Sequence, residues 1–148
     1  SRKPFSTGEL DRVDNRGNQN LVKAARAKGL KQAVVISSNG VGNSAWAIST
    51  MHKLSIWFIL KAKERSEDFI RASGMDYTIL RPGGYNEEGL SGTIVFGEGG
   101  GLSGRVGRGQ IARACVDALE NPAMKNRTLE VMDDAKVKED RRSYIIEL

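Results

Sequence analysis

Between Ile59 and Asn86 the apolar positions change period once, and the rest of the chain is organised around that change. Ile59, Ala62, Phe69 and Ile70 recur at helical spacing with Ser66 in the same stripe, while Lys61, Glu64, Arg65 and Asp68 fall on the other side. Gly74 follows where a left-handed cap ends a helix. Tyr77 to Leu80 is a short aromatic and β-branched run, the composition of a strand. Arg81-Pro82-Gly83-Gly84 stops it, because proline cannot donate to a ladder and glycine turns freely. Helix, cap and buried strand make the second half of a βαβ unit. In open parallel sheets, ligands bind beyond the carboxyl ends of the strands. The pattern therefore puts Arg81 to Asn86 at the mouth of any site.

The flanking segments fit the same plan. Ser1 to Arg12 is polar and lacks a period, as in a lead-in loop. Asp14 or Asn15 can cap a helix that runs to about Lys28, with Leu21, Ala24 and Ala25 on its inner face, and Gly29 ends it. Gln32 to Ser38 carries the continuous run Ala33-Val34-Val35-Ile36, the signature of a strand buried on both faces of a parallel sheet. Ser37-Ser38-Asn39-Gly40 breaks it at its carboxyl end. Val41 to Ile56 shows no sustained period. A right-handed crossover makes the strands near Val35 and Ile79 parallel neighbours. Thr93 to Gly97 reads as a short strand after the polar loop Asn86 to Gly92. Gly99 to Gly109 reads as a glycine- and arginine-rich loop, and Gln110 to Glu120 as an amphipathic helix with Ile111, Ala114, Cys115, Ala118 and Leu119 inward. Asn121-Pro122 stops that helix. Thr128 to Met132 is a further strand, Asp133 to Arg142 a charged exposed segment, and Tyr144 to Leu148 a last short strand. Neither a repeat nor a linker divides the chain, so residues 1–148 read as one domain.

Composition narrows the function classes. A chain of 148 residues can bury about 68–70% of the surface its unfolded form exposes, enough for a real core. The net charge of +5 is spread along the chain, with basic residues alternating with acidic ones. That pattern lacks the basic, aromatic-interleaved patch that single-stranded nucleic acid needs. Cys115 is the one cysteine, which excludes an internal disulfide framework and fits a reducing compartment, here read as cytoplasmic. No apolar run is long enough to span a bilayer, and no signal peptide is visible.

Local chemistry alone gives plain readings. Gly99-Gly100-Gly101-Leu102-Ser103-Gly104 has the letters of a dinucleotide fingerprint, but the helix that follows starts near Gln110 and not at the glycines. A flexible hairpin or loop is the better reading. Ser37 and Ser38 end a strand, where serine commonly satisfies its own backbone. Lys63 stands four residues before Glu67, as in a surface ion pair. His52, the single histidine, has no second metal ligand at a suitable spacing. Cys115 faces inward, which favours packing over reactivity. Trp46 and Trp57 can wall a pocket or cap the core. Arg105, Arg108 and Arg113 can bind a phosphate, although solvated surface charge is the simpler reading.

The assembled pattern resembles a known family. Val13-Asp14-Asn15-Arg16-Gly17-Asn18-Gln19-Asn20-Leu21-Val22, Ala33-Val34-Val35-Ile36-Ser37-Ser38, Ala62-Lys63 with Glu67, and Ser73-Gly74-Met75-Asp76-Tyr77-Thr78-Ile79-Leu80-Arg81-Pro82-Gly83-Gly84 are similar to the atypical short-chain dehydrogenase/reductases, and most of all to their NmrA-like branch. Arg108-Gly109-Gln110-Ile111-Ala112 and the strand at Thr128 to Met132 continue the match, which covers about Val13 to Met132. The resemblance implies an α/β Rossmann-like three-layer fold with a mainly parallel sheet, incomplete on its N-terminal side. It also implies a nicotinamide cofactor, NADP or NAD, and a small-molecule substrate, with self-association into a homo-oligomer left open.

On that reading Ser37 and Ser38 line the nicotinamide side, Lys63 holds the nicotinamide ribose, and Pro82, Gly83, Gly84 and Tyr85 follow the strand beside it. Lys63 and Ser38 are the expected catalytic groups. Three departures stand out. The family's opening glycine-rich βαβ unit is absent, so the diphosphate and adenine half of the site is expected to be missing. Ile59 stands where the family tyrosine belongs, and isoleucine cannot relay a proton. Gln110 replaces an acidic residue. These departures leave a working oxidoreductase, a cofactor-binding redox sensor or scaffold, and a partial domain that binds no cofactor by itself as the alternatives.

Overall fold

The structure is a computed structural model that describes residues 7–148, the side chains of Thr7, Leu10, His52, Lys53 and Ser55 excepted. Its centre is a five-stranded sheet in the order β1-β2-β6-β4-β7. The strands are β1 (Gln32–Ile36), β2 (Asp76–Pro82), β4 (Ile94–Glu98), β6 (Arg127–Asp133) and β7 (Ile145–Ile146). β3 (Gly84–Tyr85) and β5 (Arg105–Val106) form a separate parallel pair. β1, β2 and β6 run parallel, β4 antiparallel to β6, and β7 antiparallel to β4. Val35 pairs with Ile79, as the crossover rule requires.

The helices form the outer layers. α1 (Thr7–Leu10), a π-helical stretch at Asp11–Gly17 and α2 (Asn18–Ala27) precede β1. α3 (Thr50–Arg71) crosses from β1 to β2, and α4 (Arg108–Glu120) precedes β6. Val22, Ile70, Met75 and Ile79 pack together on one face of the sheet. Leu80, Ile111, Ala114, Ala118, Leu129 and Val131 pack on the other. Adjacent residues of β2, Ile79 and Leu80, thus serve opposite faces, the period-2 consequence of a pleated strand. The result is a three-layer Rossmann-like fold with a mainly parallel sheet.

Several expectations change. Thr7 to Arg12 is helical where a loop was expected, while Ser1 to Ser6 lie outside the described residues. Neither Asp14 nor Asn15 caps a helix, because the chain already winds there and Asn15 instead donates to Asp11. Val22 is the buried residue of α2, and Leu21 is exposed, so the inner face is one residue out of register with the expected one. The irregular stretch Val41 to Ile56 resolves into a 3-10 turn at Gly42–Ala47 and the first turns of α3. There Met51, Leu54 and Phe58 stay exposed, which hides the helical period. Leu119 is also exposed. β1 is an edge strand: Ile36 is exposed, and an open apolar groove of about 710 Å³ runs beside Leu21, Leu30 and Val34. Gly74 does take the left-handed conformation, at φ 75°.

One buried ionic cluster joins α3 to β1 and β2. Glu67, 1% exposed, accepts from Ser37 Oγ (2.6 Å) and Arg81 Nε (3.0 Å) at Oε1, and from Arg81 Nη2 (2.7 Å) and Arg71 Nη2 (2.6 Å) at Oε2. Four donors fill the acceptor capacity of the carboxylate. Burial alone would raise its pKa; the guanidinium of Arg81, with Ser37 and Arg71, more than offsets that and lowers it. Glu67 therefore adds stability above the ordinary glutamate range and loses it as pH falls through its lowered value. Arg81→Ala leaves an unpaired buried carboxylate and should cost about 3–5 kcal/mol in urea unfolding. Arg113→Ala removes an exposed pair with Asp117 and should leave the urea midpoint almost unchanged.

Candidate functional site

The parallel ladder brings the predicted residues to one end of the sheet. Ser37 N–H donates to Leu80 O (2.7 Å) and Asn39 N–H to Pro82 O (2.9 Å), so the carboxyl ends of β1 and β2 advance together. Ser37, Ser38, Pro82 and Gly83 are thereby neighbours. Lys63 joins them from α3, lining with Asn18, Ile36, Ser37 and Ser66 a small space beside β1.

Their commitments differ. Ser37 is buried, and its hydroxyl is spent on Glu67. Ser38 is half-buried and donates to the carbonyl of Asn39 at 2.9 Å, the local turn bond that its sequence suggests. Lys63 pairs with Asp14 at 2.8 Å and not with Glu67. The expected Lys63–Glu67 pair fails because Arg81 and Arg71 reach Glu67 from inside the fold. Gly84 and Tyr85 are exposed, and the Arg108 guanidinium lies 4.6 Å from the Tyr85 ring centroid. Ile59 sits half-buried one turn before Lys63 and adds no titratable group.

The glycine-rich run is no phosphate cradle. It precedes β5, and α4 begins four residues after Gly104. The run is packed and not a free hairpin. Gly100 N–H donates to Glu130 Oε1 (3.1 Å), Gly100 O accepts from Trp46 Nε1 (2.6 Å), and Leu102 O accepts from Asn39 Nδ2 (3.0 Å). Trp46 thus braces this loop, with Arg141 stacked 4.0 Å from its ring centroid. Trp57 remains on the surface of α3 beneath Lys61. Cys115 is half-buried and burial pushes its thiol pKa up, in keeping with a packing role. The side chain of His52 lies outside the described residues, and no cluster of metal-ligating side chains occurs among those described.

Two functional features escaped sequence reading. Asp133, expected to be exposed, is fully buried at the end of β6. Its carboxylate accepts from the Ser91, Gly92 and Ala135 N–H groups, from Ser91 Oγ and from Gln110 Nε2 at 2.7 Å. Burial favours its neutral form, but these donors prevail and lower its pKa. Gln110 also accepts from Gly107 N–H at 3.0 Å. An amide can donate to Asp133 and accept from Gly107 at once, which a carboxylate cannot; that is the physical sense of glutamine at this position. The second feature is Glu130, buried among Arg81, Gly97 and Gly100, with Oε2 unpartnered and a pKa raised by burial. It lines a polar cavity of about 470 Å³ between α3 and the sheet, with Glu67, Glu98, Arg71 and Arg81.

A sequence profile described as NAD(P)H-binding matches residues 5–122. The chain belongs to the NAD(P)H-binding family. An uncharacterized chloroplastic protein of Arabidopsis thaliana is 32% identical over 142 residues, covering 90% of this chain and 49% of its own length. Sanguinarine reductase of Eschscholzia californica is 29% identical over 128 residues, covering 82% of this chain and 45% of its own. The chain thus spans about half the length of these curated relatives. An anaerobilin reductase from Escherichia coli O157:H7 superposes with a TM-score of 0.75 at 22% identity, over 82% of this chain and 59% of that one. A short-chain dehydrogenase/reductase from Veillonella parvula, solved with NADP, gives 0.65 at 15% identity over 88% and 70%. At such identities the superpositions speak to fold alone, which is that of the atypical short-chain dehydrogenase/reductases and other NAD(P)-binding oxidoreductases.

For this NAD(P)H-binding family member, the fit to the cofactor divides in two. Of the residues expected on the nicotinamide and ribose side, Ser38 has a half-buried hydroxyl, Gly84 exposed backbone and Lys63 an ammonium paired with Asp14. The diphosphate half meets no helix opened by glycines at a strand end among the described residues, since the one glycine run is occupied by Glu130, Trp46 and Asn39. Gly83 and Gly84 should behave differently on substitution. A Cβ at Gly83 would strike Gly104 O and Met132 Sδ, whereas one at Gly84 meets nothing closer than Arg105 Cγ at 4.0 Å. Gly83→Ala should therefore lower the melting temperature by several degrees, roughly 1–3 kcal/mol of overpacking, and Gly84→Ala should leave it within a degree or so.

Proposed function

We propose that this chain forms the nicotinamide side of an NAD(P)H-dependent oxidoreductase of the NmrA-like branch, acting on a small molecule. The carrying observation is that Ser37, Ser38 and Pro82 meet at the carboxyl ends of β1 and β2 with Lys63 beside Ser37, in a chain of the NAD(P)H-binding family. When bound, the cofactor supplies the hydride. Lys63 holds the ribose hydroxyls, for which it must exchange its pair with Asp14. Ser38 turns its hydroxyl to the substrate or the nicotinamide amide. Pro82, Gly83 and Gly84 offer backbone, Tyr85 an aromatic wall, and Ser37, its hydroxyl held by Glu67, backbone alone. The nicotinamide cofactor follows from the family, and NADP is the form proposed. The likeness to sanguinarine reductase supports the reductase reading.

A redox sensor is the second reading. Ile59 favours it, because no proton donor stands one turn before Lys63. The exposed stripe of Met51, Leu54 and Phe58 on α3 supports self-association in either reading. Among the described residues no helix is long and apolar enough to cross a membrane. Cytoplasmic placement is part of the proposal, while the Arabidopsis relative carries a chloroplastic name.

Thermal shift with NADPH and NADH tests the proposal. Binding should stabilise the fold by about 2.7 kcal/mol at a hundredfold excess over the dissociation constant. Lys63→Met should reduce that shift without altering the unliganded melting temperature by more than a few degrees. No shift with either nucleotide would overturn cofactor binding by this chain. A shift without NADPH oxidation by simple quinones or aldehydes would select the sensor.

A further inference from the structure

A second hollow opens at the same end of the sheet, on the β6 side of β2. It has a volume of about 620 Å³ and is walled by Gly84, Asn86, Ser103, Arg105, Lys136 and Lys138 among others. Three cations line it and no carboxylate does. Elsewhere, ion pairs hold Lys63, Arg71, Arg81, Arg127 and Arg142. Arg105, Lys136 and Lys138 have no ion pair and no side-chain hydrogen bond among the described residues. Three acids of the adjoining segments are already engaged. Asp134 is paired with Arg142 (2.6 Å), Glu87 with Arg108 (2.9 Å), and Asp133 is turned to its five donors. No lining acid and no ion pair therefore compensates the positive charge of this cleft.

Its walls are also fixed relative to one another. Gly104 packs so closely that a Cβ there would lie 2.5 Å from Lys136 O, and Lys138 N–H donates to Ser103 O at 3.2 Å. Gly83, the hinge out of β2, packs directly against Gly104 O. A concave surface of one sign focuses its field on a ligand of the other, and an arginine fork beside lysines matches the oxygens of a carboxylate or phosphate. We propose that this cleft binds the anionic group, carboxylate or phosphate, of a small-molecule substrate. That the anion belongs to a substrate rests on the oxidoreductase reading above; the anion site itself does not. Lys63 and its space lie on the β1 side of β2 and share no lining residue with the cleft, which separates it from the ribose position.

Amide NMR titrations at fixed ionic strength test this with phenyl phosphate and benzoate, and with benzyl alcohol as the neutral control. Saturable shifts at Gly84, Gly104, Arg105 and Lys136 are expected with the anions and not with the alcohol, and the tighter of the two anions identifies the group. The double variant R105Q/K136Q should weaken anion binding at least tenfold. K138Q alone should weaken it about threefold, and K28Q/K31Q, which removes cations at the opposite, amino end of β1, should change nothing. Shifts spread equally to Lys28 and Lys31, or unchanged affinity in both cleft variants, would overturn the site. R105Q/K136Q should keep the wild-type thermal shift with NADPH. Loss of that shift would make the cleft a cofactor-phosphate site and overturn its assignment to substrate. Anion binding by a chain that NADPH does not stabilise would uphold the anion site and sink the oxidoreductase reading alone.

Discussion

The Glu67–Arg81 pair is the constraint that the structure is built around. It lies where three elements meet: Glu67 comes from the crossover helix, Arg81 from the end of β2, and Ser37 from the end of β1. A buried pair of this kind is weak evidence for net stability, since desolvation consumes much of the Coulomb gain. Its effect is geometric. Each oxygen of Glu67 takes two donors, and Arg81 also donates to Asn43 Oδ1 at 2.6 Å, so the guanidinium fixes the turn after β1 as well. Moving α3 along the sheet would leave buried charge unpaired at several points at once. Lys63, one turn before Glu67 on α3, is thereby held at a fixed height beside the end of β1.

Close backbone packing extends that order into the loops. The chain leaves β2 at Gly83, passes under Gly104, and Gly104 in turn lies against Lys136 O. Three segments that are distant in sequence meet there with no side chain between them. Asp133 does the same work with hydrogen bonds, since its carboxylate gathers the 91–92 loop, the start of α4 and the turn after β6. The mouth of the sheet is therefore a closely packed frame that carries exposed charged side chains.

Much of this was legible in the sequence because it rests on local rules. The Val35–Ile79 pairing, the left-handed Gly74 and the inner face of α4 at Ile111, Ala114 and Ala118 follow from period, glycine and crossover hand. What was missed has a common cause. Glu67 reads as half of a surface ion pair and Asp133 as part of an exposed segment, yet both are buried, because donors distant in sequence satisfy them. Sequence spacing offered Lys63 as Glu67's partner, and only the fold could supply Arg81. The glycine run misled in the opposite sense: its letters suggest freedom, while its role is to admit Asn43 and Tyr144 at distances that a side chain would forbid. The apolar run at Gln32 predicts a strand buried on both faces, and the described sheet leaves it at an edge.

Charge is divided across β2 in a way that bears on what the mouth can accept. Between α3 and the sheet the cavity holds Glu64, Glu67, Asp68, Glu98 and Glu130, and Arg71, Arg81, Lys61 and Arg127 are paired with the first four of these acids. Beyond the strand ends, the cleft holds three unpaired cations and no acid. Arg81 stands between them, and its charge is consumed by Glu67 and Asn43. An anion approaching the end of β2 thus finds no free cation in the interior cavity and is drawn to the β6 side, while Lys63, already neutralised by Asp14, competes weakly for it. The same arithmetic leaves the β1 side to groups that need a donor and little net charge, as the hydroxyls of a ribose do.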